Sequence, residues 1–108
     1  MIPPLGSAGA YAEYVAVTQD ATLARVPAGL DPVTAAALPT AGGTAMAIAE
    51  SLAPLDGKTV LIVGASGGVG SFLTQFTAHA GAHVDARAPR AEAGRMKGYG
   101  AAARSTAR

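Results

Sequence analysis

The chain has 108 residues, enough for one small domain, and its net charge is +1. This weak charge argues against nucleic acid or an anionic membrane surface as a partner. Without cysteine the chain has no disulfides or thiolate metal sites, and no apolar run is long enough to span a membrane. The N-terminus lacks the pattern of a secretory signal, so the sequence predicts a cytoplasmic protein.

The first half of the chain is predicted to change from β structure to helix. Residues 10–27 contain two apolar runs rich in β-branched residues and tyrosine, which is typical of strands. Asp31 is then expected to cap a helix, with Pro32 at its first position, where the missing N–H costs nothing. A second helical run is expected from about residue 44 to residue 52, before Pro54.

Residues 59–71, TVLIVGASGGVGS, are the most informative segment. Apolar β-prone residues lead into a glycine cluster, which is followed by an amphipathic run. The residues predicted to share one face of that run are Val69, Phe72, Leu73, Phe76 and Ala80. A strand, a tight glycine turn and a helix form the phosphate-binding corner of dinucleotide-binding folds. The alternative is a glycine-rich turn that binds nothing.

Each glycine of this turn has an assignable role. Gly64 can leave the strand with backbone angles that a β-carbon would disfavour. Gly67 and Gly68 place no side chain between the backbone and a pyrophosphate, and Gly70 allows the helix to lie close to the strand. The N–H groups of the first helical turn would then face the phosphate oxygens.

A second strand is predicted at residues 83–87, after Gly81 has ended the helix. NAD-selective sites have a carboxylate near the end of this strand, but Asp85 falls inside it, where buried parallel strands are normally apolar. The tip instead carries Arg87 and Arg90. Arginine matches a 2′-phosphate in charge and geometry, so we predict NADP(H); a merely solvated loop is the alternative.

The last part of the chain carries weaker signals. A weak helix is expected over about residues 90–97, and residues 101–108 are expected to be disordered because they have no apolar pattern. His79 and His83 are expected on different elements, with structural or surface roles. We therefore assign no metal ligand, and no residue is placed to serve as a catalytic acid or base.

Three segments carry a family resemblance: residues 9–15, GAYAEYV; residues 35–45, AAALPTAGGTA; and residues 60–70, VLIVGASGGVG. In this order and spacing they resemble the medium-chain dehydrogenase/reductase superfamily of alcohol dehydrogenase-like enzymes. The match is specifically to its zinc-independent, quinone oxidoreductase-like branch. The resemblance covers roughly residues 5–100.

The resemblance implies an enzyme with a GroES-like substrate domain and a Rossmann domain, with NADP(H) between them as the hydride donor to quinones, enones or related carbonyl compounds. On this basis residues 1–30 would end the GroES-like domain and residues 31–57 would form linking helices. Residues 58–100 would form the first half of the Rossmann domain, and residues 101–108 a disordered tail. The predicted fold class is therefore α/β: a partial Rossmann β-α-β unit preceded by a β segment from a GroES-like domain.

The resemblance also implies positions for the cofactor. Thr44 matches a threonine near the nicotinamide end, although it also fits a hydroxyl at a helix start. Ala37 or a neighbour stands where zinc-dependent relatives carry a cysteine ligand, which argues against a metal. The residues implied to hold the pyrophosphate are Ser66, Gly67, Gly68, Val69 and Gly70.

The chain departs from the family in length, because family members are much longer. We therefore hypothesise that the chain is a truncated or frameshifted form of a reductase. Three functional readings stay open. The first is an NADPH-dependent oxidoreductase that acts on a small carbonyl or quinone substrate only as part of a longer chain. The second is a non-catalytic nucleotide-binding module. The third is an inactive remnant, or an interaction protein that pairs its sheet edges with another copy to form a homo-oligomer.

Overall fold

The computed structural model of the protein describes residues 10–103. The chain divides into two units, Met1–Thr40 and Ala41–Arg108. In the part of the chain that is described, no helix has the length and apolar character that a membrane span requires.

The first unit contains a short helix, α1 (Pro32–Ala36), with the predicted N-terminal cap. Asp31 Oδ2 accepts hydrogen bonds from the N–H of Thr34 at 2.9 Å and from its hydroxyl at 3.1 Å. Pro32 occupies the first helical position. The predicted start of α1 is therefore confirmed. Asp31 supplies the side-chain acceptor that a helix N-terminus needs, and Pro32 lacks an N–H at a position where none is needed.

The prediction of β structure over residues 10–27 is wrong. The structure has no strand in this range, and every residue in it except Ala21 is exposed. A strand needs a neighbour to pair its backbone groups and a surface to cover one of its faces, and the described residues of this unit offer no partner strand. The structure therefore does not show the GroES-like β segment that the resemblance implies.

In the described part of the chain seven elements follow α1, and one of them crosses the boundary between the units. The helix α2 (Pro39–Leu52) begins in the first unit and continues into the second. The remaining elements, all in the second unit, are β1 (Thr59–Val63), α3 (Gly68–His79), β2 (His83–Arg87), a 3₁₀ turn (Arg90–Glu92), α4 (Ala93–Gly98) and β3 (Ala102–Ala103).

The three strands form one parallel sheet in the order β1-β2-β3. Thr59 of β1 is in register with His83 of β2, and Val63 is in register with Arg87. Asp85 of β2 is in turn opposite Ala102 of β3. The predicted β-α-β unit is confirmed, and the fold is α/β with a small parallel sheet that is compatible with a partial Rossmann-like fold.

The short strand β3 lies where we expected a disordered tail. Gly100 has φ +96°, which ends α4, and the N–H of Ala101 donates to the carbonyl of Met96 at 3.1 Å. Ala101 and Met96 both belong to the buried apolar cluster of the second unit, so this turn buries apolar surface as well. The expectation of disorder is wrong for residues 101–103, and residues 104–108 lie outside the described part of the chain.

The helix α3 ends with the same type of cap, as Gly81 predicts. Gly81 has φ +86°, and its N–H donates to the carbonyl of Ala78 at 3.1 Å. The N–H of Ala82 donates to the carbonyl of Thr77 at 3.0 Å. This pair of bonds is the Schellman motif, and it turns the chain directly into β2.

The core of the second unit lies on one face of the sheet. Its buried residues are Ile62, Ala65, Val84, Ala86, Ala88, Met96 and Ala101. On the opposite face, Leu61 and Val63 of β1 are 58% and 80% exposed. Alternate residues of a strand point to opposite faces, so the sheet buries one set of β1 side chains and exposes the other.

The buried face of α3 differs from the predicted apolar stripe. Thr74 and Thr77 are its fully buried residues, and their hydroxyls donate to the carbonyls of Gly70 at 2.8 Å and Leu73 at 2.7 Å. These bonds to the preceding turn satisfy both hydroxyls, which lets a polar residue replace an apolar one in a tightly packed position.

Candidate functional site

The glycine turn connects the C-terminal end of β1 to α3. Gly64 has φ +76°, a left-handed conformation that a β-carbon disfavours, as the sequence predicts. The N–H of Gly67 donates to the carbonyl of Gly64 at 3.0 Å. This bond closes the turn, and we call residues 64–67 the glycine loop.

Gly70 provides the close approach between α3 and this loop. A methyl group at Gly70 would overlap the carbonyl oxygen of Gly64 and lie 2.8 Å from the Cα of Ala65. Both neighbours are backbone atoms, so neither can move aside without shifting the loop. The predicted close approach at Gly70 is confirmed, and it is made to the residues that directly follow β1.

The first turn of α3 offers backbone donors next to the glycine loop. The first N–H to bond within the helix is that of Ser71, which donates to the carbonyl of Gly67 at 2.9 Å. The N–H groups of Gly68, Val69 and Gly70 precede it and have no acceptor inside the helix. Gly67 and Gly68 are exposed, so an anion has access to these donors and to the positive end of the helix dipole.

The glycine loop is bound to the end of β2 through the backbone of Arg87. The carbonyl oxygen of Arg87 accepts two hydrogen bonds at 3.1 Å, from the N–H groups of Gly64 and Ala65. Arg87 is the last residue of β2, as the sequence predicts. These bonds place the start of an arginine side chain beside the loop.

The side chain of Arg87 has a weak partner on its own strand. Its Nε lies 4.0 Å from Oδ1 of Asp85, and the Arg87 side chain is 40% exposed. Among the described residues, that buried oxygen of Asp85 has no hydrogen-bond partner. Asp85 lies within β2, two residues before the strand ends. It is therefore not at the strand tip, where an acid would contact the ribose of a nucleotide.

Arg90 and Thr44 are less closely connected to the loop. Arg90 is exposed and begins the 3₁₀ turn three residues after Arg87. Thr44 lies inside α2, not at a helix start, because that helix begins at Pro39. Three residues before Thr44, the Cβ of Ala41 lies 3.6 Å from the position that a β-carbon on Gly68 would occupy, so α2 adjoins the start of α3.

Arg95 contacts the glycine loop, and no sequence pattern predicts this contact. From α4, its Nη2 donates to the carbonyl of Ser66 at 3.0 Å, while its Nε lies 2.8 Å from Oε2 of Glu92. The spacing of Glu92 and Arg95 predicts an ion pair on one helical face. The bond to Ser66 joins residues 29 apart in sequence, and no local pattern indicates it.

The described residues contain no group of three or more histidine, aspartate or glutamate side chains that could hold a metal. His79 ends α3 and His83 begins β2, so they lie on different elements as predicted, and both are exposed.

No family model matches this chain. The chain is 43% identical over 93 residues to erythronolide synthase EryA2 of Saccharopolyspora erythraea, an alignment that covers 85% of the chain and 3% of that protein. It is 41% identical over 71 residues to 2-methylene-furan-3-one reductase of Solanum lycopersicum, covering 66% of the chain and 18% of the reductase. The chain thus spans a small part of the length of each relative, and one of these relatives is named as a reductase.

Proposed function

We propose that this chain forms the nucleotide-binding part of an NADPH-dependent oxidoreductase from the quinone oxidoreductase-like branch of the medium-chain dehydrogenase/reductase superfamily. The observation that carries the proposal is the contact between Gly70 and Gly64, which places the start of α3 against the glycine loop. The partial identity to a reductase adds independent support.

The residues of the site fit a pyrophosphate. Gly67 and Gly68 are exposed and have no side chain to occupy the space in front of the backbone. The N–H groups of Gly68, Val69 and Gly70 would donate to the phosphate oxygens, with Ser66 in the adjoining glycine loop. When bound, the nicotinamide supplies the hydride transfer, and the protein binds and orients the cofactor.

The arginines would distinguish NADPH from NADH. Arg87 is anchored beside the loop by its backbone, while its side chain is 40% exposed and has only a distant ion pair at 4.0 Å. Its guanidinium is therefore available to a 2′-phosphate, and Arg90 would add a second positive charge. In this proposal Thr44 lies toward the nicotinamide end, since α2 adjoins the start of α3.

For the substrate we propose a quinone, an enone or a related carbonyl compound. The relative from Solanum lycopersicum is named for a substrate in which a methylene group is conjugated to a ketone, which belongs to the enone class. We assign no catalytic acid or base to the chain. The alignments cover 3% and 18% of the two relatives, which supports an activity carried by a longer polypeptide.

A second candidate function is self-association. Leu61 and Val63 are 58% and 80% exposed on one face of the sheet, and exposed apolar patches are typical of interaction sites. A homo-oligomer that covers this face would bury both side chains. Sedimentation velocity over a range of protein concentrations tests this candidate, because self-association would raise the sedimentation coefficient with concentration.

Titration of the full chain with NADPH and NADH, followed by assays with quinones and enones, tests the proposed function. Gly68→Glu places a carboxylate at the anion site and should weaken binding of both nucleotides by about tenfold or more. Gly98→Glu is the matched control, since Gly98 is exposed at the end of α4 with open space around it. Tight binding without turnover, when this segment is assayed within its longer polypeptide, would favour a nucleotide-binding module. Self-association without binding would favour the interaction protein.

A further inference from the structure

One side chain from outside the glycine loop bonds to its backbone. Arg95 of α4 donates from Nη2 to the carbonyl of Ser66 at 3.0 Å, while its Nε is held by Glu92 at 2.8 Å. The two contacts use different nitrogens of one planar guanidinium, so the ion pair orients the donor that reaches Ser66.

The peptide between Ser66 and Gly67 is consequently held at both ends. Its carbonyl accepts from Arg95, and its N–H donates to the carbonyl of Gly64 at 3.0 Å. Rotation of this peptide plane would break both hydrogen bonds. The rest of the turn restrains this peptide little. Three of residues 64–68 are glycines, and glycine has the greatest backbone freedom of any residue.

The orientation of this peptide matters for an anion at the start of α3. Gly67 is the N-cap of that helix and has no side chain with which to fix itself. A carbonyl oxygen that turned toward the anion would repel it, whereas a guanidinium that holds the oxygen reduces its partial negative charge.

We propose that Arg95 is a positioning residue for the glycine loop: it fixes the Ser66–Gly67 peptide so that the donors of Gly68, Val69 and Gly70 face a pyrophosphate. This inference rests on the proposed nucleotide-binding function and adds a residue that acts through the loop backbone. Because the pyrophosphate is common to both nucleotides, Arg95 contributes equally to the binding of NADPH and NADH.

The test uses Arg95→Ala in the full chain, with Lys97→Ala as the control that removes an exposed cation from the same helix. Hydrogen exchange of the Gly67 amide is measured in the free protein, and the dissociation constants of NADPH and NADH by titration. Arg95→Ala should speed Gly67 exchange and weaken both nucleotides by about fivefold, the effect of one net hydrogen bond. Arg95→Lys should restore part of the Gly67 amide protection and part of the nucleotide affinity. Lys97→Ala should change neither the exchange rate nor the dissociation constants.

Glu92→Gln provides a second variant that keeps Arg95 and removes only its ion pair, so a smaller effect in the same direction is expected. Unchanged Gly67 exchange in Arg95→Ala would overturn the positioning role. A loss confined to NADPH would also overturn it, because it would show direct contact with the 2′-phosphate. If the unaltered chain binds neither nucleotide, the proposed function fails, and the exchange rate of Gly67 alone then decides whether Arg95 holds the loop.

Discussion

Gly70 lies so close to Gly64 that a methyl group on Gly70 would overlap the carbonyl oxygen of Gly64. The same oxygen also accepts the N–H of Gly67 at 3.0 Å. A side chain at Gly70 would therefore displace the loop itself. This single contact links the packing of α3 to the shape of the proposed anion site.

Gly70→Ala is expected to lower the free energy of unfolding by about 1–3 kcal/mol, the usual cost of overpacking a close contact. It should also weaken binding of NADPH, because relief of the overlap moves the glycine loop. Urea denaturation and NADPH titration of the same protein measure the two effects. Gly43→Ala is the control: Gly43 lies in α2 with open space around it, so alanine should leave stability unchanged or raise it.

Replacement of Arg87 and Arg90 together with alanine should weaken NADPH binding by about tenfold and leave NADH binding nearly unchanged, because only NADPH carries the 2′-phosphate. The preference for NADPH in the unaltered chain should fall as salt is added, since both side chains are at least partly exposed and their charges are screened. Titrations with both nucleotides at two salt concentrations measure this.

Lys58→Ala is the matched control for the arginines. Lys58 directly precedes β1 and lies at the opposite end of that strand from the glycine loop, so its loss changes the net charge and leaves the site intact. Equal losses for NADPH and NADH in the double variant would contradict the assignment of a 2′-phosphate to these residues.

The elements that could be predicted from the sequence have signals that act over a few residues. Asp31 and Pro32 determine the start of α1, and Gly81 ends α3, because each suits one backbone conformation whatever surrounds it. The glycine loop belongs to this group as well. Gly64 and Gly70 are required by one local turn, so their spacing was sufficient to predict it.

The features that were missed depend on distant partners. The two apolar runs in residues 10–27 are typical of strands, but strand formation needs a pairing edge that the described residues of that unit do not provide. Conversely, the sequence around Ala102 does not predict a strand. Ala102 pairs with β2 because the helix cap at Gly100 directs the chain toward that strand. The contact of Arg95 with Ser66 is likewise long-range.

Asp85 is expected to reduce the stability of the second unit. Its buried Oδ1 has no hydrogen-bond partner in the part of the chain described, and its ion pair with Arg87 spans 4.0 Å. Asp85→Val removes the unsatisfied oxygen and places a β-branched residue opposite Leu61. We expect the free energy of unfolding to rise by about 1 kcal/mol, measured by urea denaturation.

His83→Val controls for strand propensity, because His83 is on the same strand and the same face and is exposed. That change should alter stability by less than about 0.5 kcal/mol. If Asp85→Val and His83→Val raise the free energy of unfolding equally, the rise comes from the strand propensity of valine. The unsatisfied oxygen of Asp85 is then not its cause. A loss of stability in Asp85→Val alone would show that the carboxylate supports the sheet.

The cap of α1 should make the first unit sensitive to acid. The N–H of Thr34, with a smaller effect from its hydroxyl, lowers the pKa of Asp31 below its ordinary value of 3.8. Because the folded state binds this proton less well than the unfolded state, the stabilisation is fully present above about pH 3.8 and is lost as the pH falls through the lowered pKa. Thr34→Val keeps the N–H and should retain most of the shift, as NMR titration of the Asp31 carboxyl carbon would show. A return of this pKa to its ordinary value in Thr34→Val would mean that the hydroxyl, and not the backbone, holds the cap.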